Sequence, residues 1–308
     1  MKLSKQCDEM YAIATYKPLN ILLALFVISS IIGIPLMLYF MHSVARNPLH
    51  HFNTKVLLIA YGISIIIHLG DRVIYHSWDL YDYWVTMYKY SPCHILSTAQ
   101  RCFFIRLFFN FGMWFSISTI FSISLERLIA TRKSTTYQHD RKWGFIILFI
   151  QSLMTIILLI FMYWGTKREG YREYCIAANP QASSFSFFSL ALATFLQIFA
   201  VLIYRYLLSV NQKSKISPDS LTLNSRYHIR ETLRSLENLW LPSKIFLFVQ
   251  LYFSCGSFIL LYHSRYITGP KFIFLIESFI LLPQYSIAFP LLVIYLDRKQ
   301  SKAVMRFF

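Results

Sequence analysis

The chain has 308 residues, of which 56% are hydrophobic and only 14% are charged, and its mean hydropathy is +0.48. Soluble domains carry roughly 25% charged residues, so this chain lacks the polar surface that a water-soluble globule of its length needs. The formal net charge of +16 suggests nucleic acid as an alternative partner, but the basic residues lie between apolar runs and form no continuous patch. The composition therefore predicts an integral membrane protein and no nucleic-acid partner.

Seven apolar windows are long enough to cross a bilayer, because a hydrocarbon layer of ~30 Å needs about 20 helical residues. In chain order the predicted spans are 19–41, 56–75, 102–125, 143–164, 185–208, 239–262 and 272–296. The first span is longer than the apolar core of a signal peptide, which has about 7–15 residues, so we expect it to be retained. The loops are too short to hold a separate domain. The sequence predicts one all-α domain over 1–308, a bundle of seven transmembrane helices.

The distribution of positive charge predicts how the bundle is oriented. If the N-terminus is outside, the inside loops and tail hold 17 of the 30 Lys and Arg residues and the outside segments hold 11. The other two, Arg106 and Lys244, are counted as lying within spans, whereas Arg72 and Arg205, which lie near span ends, are counted with the outside and the inside sets. Lys and Arg are in excess on the cytoplasmic side of membrane proteins. We therefore expect the N-terminus outside and the C-terminus inside.

Four of the five cysteines fall on the predicted outer side, where disulfides persist. The favoured bridge joins Cys102, at the start of the third span, to Cys175, in the loop before the fifth. Cys93 either pairs with Cys7 or competes with Cys102 for Cys175, and free thiols are a further alternative. The pattern predicts one or two disulfides.

Glu126 and Arg127 stand together at the inner end of the third span. An acid next to an arginine at this depth predicts an ion pair that holds the inner helix ends closed. Breaking the pair would free the arginine for a cytoplasmic partner, as a switching element requires. The alternative is an ordinary interfacial anchor.

A basic face is predicted just before the sixth span. Arg226, Arg230 and Arg234 recur every four residues and share one side of a helix. Such a face suits an acidic partner or anionic lipid headgroups, although a plain topology anchor explains the charges equally well.

Ionisable side chains inside the spans predict a pocket that opens outward, because burying a charge against lipid is expensive. Arg106, Asn110 and Trp114 share one face of the third helix. The predicted pocket residues are Arg106, Asn110, Trp114, Tyr262, Glu277 and Tyr285. A structural Arg106–Glu277 ion pair without a ligand is the alternative. His68, Asp71 and His76 on the second span support a weaker form of the same suggestion.

Motifs that would indicate an enzyme are absent from the sequence: there is no phosphate-binding loop, His-Glu-x-x-His zinc motif or Gly-x-Ser-x-Gly elbow. We therefore expect no catalytic residues, no metal site and no cofactor.

Five segments together resemble the nematode chemosensory serpentine receptors of the alpha, beta and alpha/beta classes, most closely alpha/beta. These segments are residues 76–81, 101–114, 125–137, 173–177 and 227–242. The resemblance implies a rhodopsin-like bundle that senses small environmental or pheromone-like chemicals and activates a heterotrimeric G protein. It also implies a multi-pass protein of the plasma membrane, placed in the cilia of sensory neurons and serving olfaction.

The same resemblance implies roles for individual residues. Glu126 and Arg127 take the switch position, and Cys102 with Cys175 the outer disulfide. The implied G-protein contacts are Arg132, Arg226, Arg230 and Arg234. The chain departs from the family at His228 and Thr232, where Gln and Asn are usual, and it lacks the Asn-Pro-x-x-Tyr run of rhodopsin-like receptors.

Two other functions compete with a receptor. A small-molecule transporter usually shows repeated halves, and no repeat is visible here. An odorant-gated channel subunit would have its N-terminus inside, against the charge distribution. The sequence leaves open the ligand, the G-protein subtype and a receptor dimer.

Overall fold

The computed structural model describes residues 2–47, 50–133, 137, 140–164, 169–175, 183–216, 223–263, 266–267 and 269–305; side chains are described at all of these except 2–3, 183–186, 214–216, 223–231 and 297–305. The helices are α1 Lys2–Ala14, α2 Lys17–Arg46, α3 Phe52–Tyr81, α4 Met87–Lys89, α5 Ala99–Arg132, α6 Lys142–Tyr163, α7 Ser183–Ile216, α8 Leu223–Tyr262, α9 Gly269–Ser278 and α10 Leu282–Met305. A π-helical turn, Asp82–Thr86, joins α3 to α4, and a 3-10 turn, Pro92–Ile95, precedes β1 (Ser97–Thr98), which pairs antiparallel with β2 (Tyr171–Arg172).

Within the described residues, seven helical segments are long and apolar enough to span a membrane: Lys17–Arg46, Phe52–Lys89, Ala99–Arg132, Lys142–Tyr163, Phe187–Lys213, Thr232–Tyr262 and Gly269–Leu296. Large apolar side chains such as Phe149 and Phe248 are 71% and 69% exposed on the outside of the bundle. Contact between such a surface and hydrocarbon is favourable, whereas its contact with water is unfavourable. The predicted seven-helix membrane bundle is therefore confirmed.

α5 is the central helix of the bundle and packs against α3, α6, α7 and α8. Its middle carries buried hydroxyls, and those of Ser116, Ser118 and Thr119 donate to carbonyls three or four residues earlier on the same helix. This internal pairing lets polar side chains sit at the centre of a membrane protein without an unsatisfied donor.

Gly112 of α5 lies directly against the backbone of α3. A Cβ atom at this position would lie 2.5 Å from the backbone oxygen of Ser64 and 2.8 Å from the backbone nitrogen of His68. Small residues allow such close approach of transmembrane helices. The contact fixes α3 against α5 in the region where both carry polar side chains.

Two disulfides, Cys7–Cys93 and Cys102–Cys175, lie at one end of the bundle, which we call the disulfide end. The first joins α1 to the 3-10 turn, and Met10 and Ile13 of α1 are buried there. The second joins α5 to the segment that follows β2. The structure thus contains the pairing favoured from the sequence, together with the Cys7–Cys93 alternative.

Several boundaries differ from the sequence prediction. The segment 77–101, expected to be a loop, continues α3 to Tyr81 and adds the π-helical turn and α4. The seventh span, expected to be continuous over 272–296, is interrupted between Ser278 and Leu282. Pro283 accounts for the interruption, because proline donates no backbone hydrogen bond and disfavours helical backbone in the residue before it. α1 was not predicted, since it is too short and polar to resemble a span.

Candidate functional site

A row of three side chains on α3 begins the site. His68, Arg72 and His76 are spaced by four residues, so they share one face of the helix. The Arg72 Nε–H donates to His68 Nε2 at 3.3 Å, and Arg72 Nη1 lies 3.4 Å from His76 Nε2. Since a guanidinium can only donate, both imidazoles accept through Nε2. Arg72 is completely buried, with its guanidinium 4.1 Å from the centre of the Phe26 ring.

Glu277 of α9 brings two arginines together. Arg106 Nη2 of α5 lies 2.7 Å from Glu277 Oε1, and Arg72 Nη2 lies 3.6 Å from Glu277 Oε2. All three side chains are at most 3% exposed. A buried charge is tolerated when it is paired, so this arrangement ties α3, α5 and α9 to one another. We call Arg72, Arg106 and Glu277 the Glu277 cluster.

The segment after β2 closes the Glu277 cluster on the disulfide end. The Arg106 Nε–H donates to the backbone carbonyl of Cys175, and the Tyr174 hydroxyl donates to Glu277 Oε1 at 3.2 Å. Burial raises the pKa of Tyr174 and the Glu277 carboxylate raises it further. The phenol therefore remains a hydrogen-bond donor at physiological pH, and the Cys102–Cys175 disulfide holds it in place.

A cavity of about 70 Å³ borders the Glu277 cluster among α5, α6, α7, α8 and α9. Its lining includes Arg106, Asn110, Trp114 and Glu277, which are four of the six predicted pocket residues. The Asn110 amide nitrogen donates to the Tyr163 hydroxyl at 2.7 Å, and the Trp114 Nε1–H donates to Met162 Sδ at 3.3 Å. The face of α5 formed by Arg106, Asn110 and Trp114 therefore borders this cavity.

The other two predicted pocket residues lie elsewhere. Tyr262 is 74% exposed at the end of α8 and does not line the cavity. Tyr285 is buried beyond it, where its hydroxyl donates to the Pro242 carbonyl at 3.2 Å and its ring packs against Phe289. The interruption between α9 and α10 explains why Tyr285 lies away from the cavity, because the helical phase counted from Glu277 does not continue through the interruption.

Sequence reasoning missed Arg72, which it assigned to the outside set. The four-residue spacing from His68 and to His76 was the available signal. Asp71, which was grouped with the two histidines, is one position away on α3 and so points about 100° off their common face.

A second polar cluster lies at the opposite end of α5. The Glu126 carboxylate accepts from Arg127 Nε at 2.5 Å and from Arg127 Nη2 at 2.6 Å. Thr54 of α3 donates its hydroxyl to both Glu126 oxygens at 3.2 Å and also accepts from Arg127. Glu126 is fully buried and Arg127 is 3% exposed. The two residues therefore form a buried pair that is tied to α3.

Tyr137, in the segment between α5 and α6, completes this cluster. Its hydroxyl donates to Glu126 Oε1, and its ring lies 4.6 Å from that of His51. Burial and the neighbouring carboxylate raise the pKa of Tyr137, so the hydroxyl stays protonated. We call Thr54, Glu126, Arg127 and Tyr137 the Glu126 cluster. Tyr137 was missed because no periodicity relates a loop residue to a helix end.

The predicted basic face is only partly described. Arg132 is exposed at the end of α5, and Arg234 of α8 is partly buried. α8 does begin at Leu223, well before the span itself, but the side chains of Arg226 and Arg230 lie outside the described residues.

The fold and the two buried clusters define a multi-pass membrane protein with the architecture of a seven-helix receptor. The chain belongs to the serpentine type 7TM GPCR receptor class ab chemoreceptors, since the model of that family matches residues 4–306. This is a family of receptors, and the comparison does not favour a transporter or a channel.

Individual relatives come from Caenorhabditis elegans. The chain is 24% identical to serpentine receptor class alpha/beta-14 over 86% of its own length and 69% of the relative's. It is 26% identical to serpentine receptor class beta-15, over 76% and 68%, and 23% identical to class alpha-22, over 68% and 60%. The match thus covers about 60% of the length of class alpha-22.

Proposed function

We propose that the chain is a chemoreceptor of the plasma membrane that binds a small environmental or pheromone-like molecule and activates a heterotrimeric G protein. The disulfide end is the outer side in this proposal, and the Glu126 cluster is the cytoplasmic side. Membrane lipid surrounds the bundle, and the receptor acts in the cilia of sensory neurons.

The Glu126 cluster is the observation that carries this proposal. It joins α3, α5 and the loop before α6 through one buried carboxylate. In this arrangement Arg127 is turned toward Glu126 and Thr54 and is almost completely buried. Release of Arg127 toward a cytoplasmic partner would require these bonds to break together, which is how a two-state element behaves. Arg132 and Arg234 lie on helices that end at this side.

In this proposal the ligand binds in the cavity near the disulfide end of α5. The cavity is lined by five different helices, so a ligand that prefers a different spacing of those helices shifts the equilibrium toward that arrangement. The shift equals the difference in affinity between the two states and no more.

The test is a cell assay in which the receptor is co-expressed with a promiscuous G-protein α subunit and challenged with odorants and nematode secretions. We expect a response that Arg127→Ala abolishes at equal surface expression. Arg141→Ala, which removes an exposed positive charge at the same end, should respond normally. Arg127→Ala leaves Glu126 buried without its partner, so the double variant Glu126→Gln with Arg127→Gln serves where the single variant does not reach the surface.

Antibody labelling of an N-terminal tag on intact cells tests the orientation. A surface signal is expected, and labelling only after permeabilisation would overturn it. A ligand response that persists in Arg127→Ala at normal surface expression would disprove the switch assignment.

A further inference from the structure

Apart from Glu277 Oε2, which lies 3.6 Å from Arg72 Nη2, three hydrogen-bonding atoms around the cavity have no hydrogen-bond partner within the described part of the structure. They are Asn110 Oδ1 on α5, Ser189 Oγ on α7 and Ser257 Oγ on α8. Their residues are 1%, 0% and 2% exposed, so bulk water does not reach them. Buried polar atoms in proteins are nearly always paired. Three such atoms from three helices around one cavity point to a hydrogen-bonding occupant.

The charged groups beside the cavity are paired with each other, although Arg72 Nη2 and Glu277 Oε2, at 3.6 Å, form an ion pair without a hydrogen bond. Arg106 pairs with Glu277 at 2.7 Å and donates to the Cys175 carbonyl, while Arg72 lies on the other side of the carboxylate. A carboxylate ligand would compete with Glu277 for Arg106, and a cation would meet the Arg106 guanidinium in the cavity wall. The cavity therefore favours a neutral molecule.

The cavity atoms without a hydrogen-bond partner determine which polar group that molecule carries. Each serine hydroxyl can donate or accept, while the Asn110 oxygen accepts, since its amide nitrogen is committed to Tyr163. A hydroxyl both donates and accepts, so one hydroxyl can serve the amide oxygen and a serine together. The rest of the wall is apolar and includes Met113, Phe253, Leu261 and Ile276.

The volume limits the size of the molecule. An apolar cavity of ~150 Å³ holds benzene, and the cavity here measures about 70 Å³. We propose that the ligand is a small neutral alcohol, with one hydroxyl bound by Asn110, Ser189 and Ser257 and a short chain against the apolar wall. This inference rests on the proposed function, because it takes the cavity to be the ligand site.

The experiment measures binding directly on the purified full-length receptor in lipid nanodiscs, by ligand-induced shifts in thermal stability. The probes are 1-propanol, 1-butanol and 1-pentanol, compared with propionate and propylamine. We expect saturable stabilisation by an alcohol and none by the acid or the amine. Ser189→Ala and Ser257→Ala should each weaken alcohol binding by about fivefold, the size of one net hydrogen bond.

Ser243→Ala is the matched control. Ser243 is buried on α8 like Ser257, but its hydroxyl donates to the Leu239 carbonyl at 2.7 Å and it does not line the cavity. It should bind alcohol normally. The cavity variants carry a second readout, since removing an unpaired hydroxyl should not lower the melting temperature of the ligand-free receptor.

The proposal is overturned if propionate or propylamine stabilises the receptor, or if no alcohol stabilises it. Normal alcohol binding by both cavity variants would also overturn it and would assign the two serine hydroxyls to water. Alcohol binding without G-protein activation would leave the ligand class standing and refute the proposed coupling. A G-protein response to a charged ligand would leave the proposed coupling standing and refute the ligand class.

Discussion

Replacing Tyr137 by phenylalanine should raise the ligand-independent activity of the receptor. The substitution removes one hydroxyl, which donates to Glu126 Oε1, and keeps the ring that packs against His51. In the proposed switch this bond belongs to the closed arrangement of the Glu126 cluster, so we expect its loss to destabilise that arrangement selectively. No pH dependence near neutrality is expected from this bond, because the raised pKa of Tyr137 lies above the usual value of about 10 and the hydroxyl stays protonated.

The magnitude follows from the charge on the acceptor. Hydrogen bonds to ionised groups contribute about 1.5–3 kcal/mol net, and about 1.4 kcal/mol is a tenfold change in an equilibrium constant. The lower value applies if water replaces the hydroxyl in the variant. The ratio of active to inactive receptor should then rise about tenfold. Thr54→Val, which removes the hydroxyl shared by Glu126 and Arg127, should change activity in the same direction.

The assay is basal G-protein activation per receptor at the cell surface. Tyr163→Phe is the control, since it also loses a tyrosine hydroxyl bond, to Asn110 at 2.7 Å, but at the disulfide end of the bundle. Basal activity of Tyr137→Phe equal to that of the unmodified receptor would show that the bond does not distinguish the two states. An equal rise in Tyr163→Phe would show that any lost tyrosine bond has this effect.

Three further substitutions, one of them with a control, test the packing. Gly112→Val should abolish surface expression because its side chain would overlap the backbone of α3, whereas Gly70→Ala, with no atom within 4 Å of the added Cβ, should express normally. Arg72→Ala should lower the melting temperature, since breaking a buried ion pair costs about 3–5 kcal/mol and Glu277 here keeps only one arginine; an unchanged melting temperature would mean that this pair contributes no net stability. Cys7→Ser should make α1 sensitive to protease without affecting the second disulfide, and continued resistance would show that packing alone holds α1 in place.

Much of the architecture was predictable because the bilayer restricts what a sequence can do. Seven apolar runs of span length permit few arrangements other than seven helices. The stripe formed by Arg106, Asn110 and Trp114 was predictable for a related reason, since a helix repeats every 3.6 residues and the stripe lies well inside one unbroken helix. Helical phase is reliable over such a distance.

The parts that escaped prediction depend on chain paths that periodicity does not describe. Tyr285 was assigned to the pocket by extending the phase of the last span through the break before Pro283. Tyr137 lies between α5 and α6, where no helical periodicity relates it to Glu126. Arg72 has the right spacing from His68, but it lies beside Asp71 near the end of an apolar window, where a charged pair normally marks the membrane surface. It is instead buried because α3 continues to Tyr81 and lengthens the span.

The size of the cavity restricts how this receptor can be switched. At about 70 Å³, it has room for roughly three non-hydrogen atoms, by comparison with the ~150 Å³ cavity that holds the six of benzene. The best small ligands gain about 1.5 kcal/mol per non-hydrogen atom, so total binding is at most ~4–5 kcal/mol. Moving an equilibrium from 1:99 to 99:1 needs about 5.5 kcal/mol of difference between states, and only part of the total can be a difference. Full activation by such a ligand therefore requires either a cavity that enlarges in the active state or an inactive state that is only weakly favoured. Measurable basal signalling of the unmodified receptor would indicate an inactive state that is only weakly favoured. The absence of basal signalling, together with full activation by the longer alcohols, would indicate a cavity that enlarges in the active state.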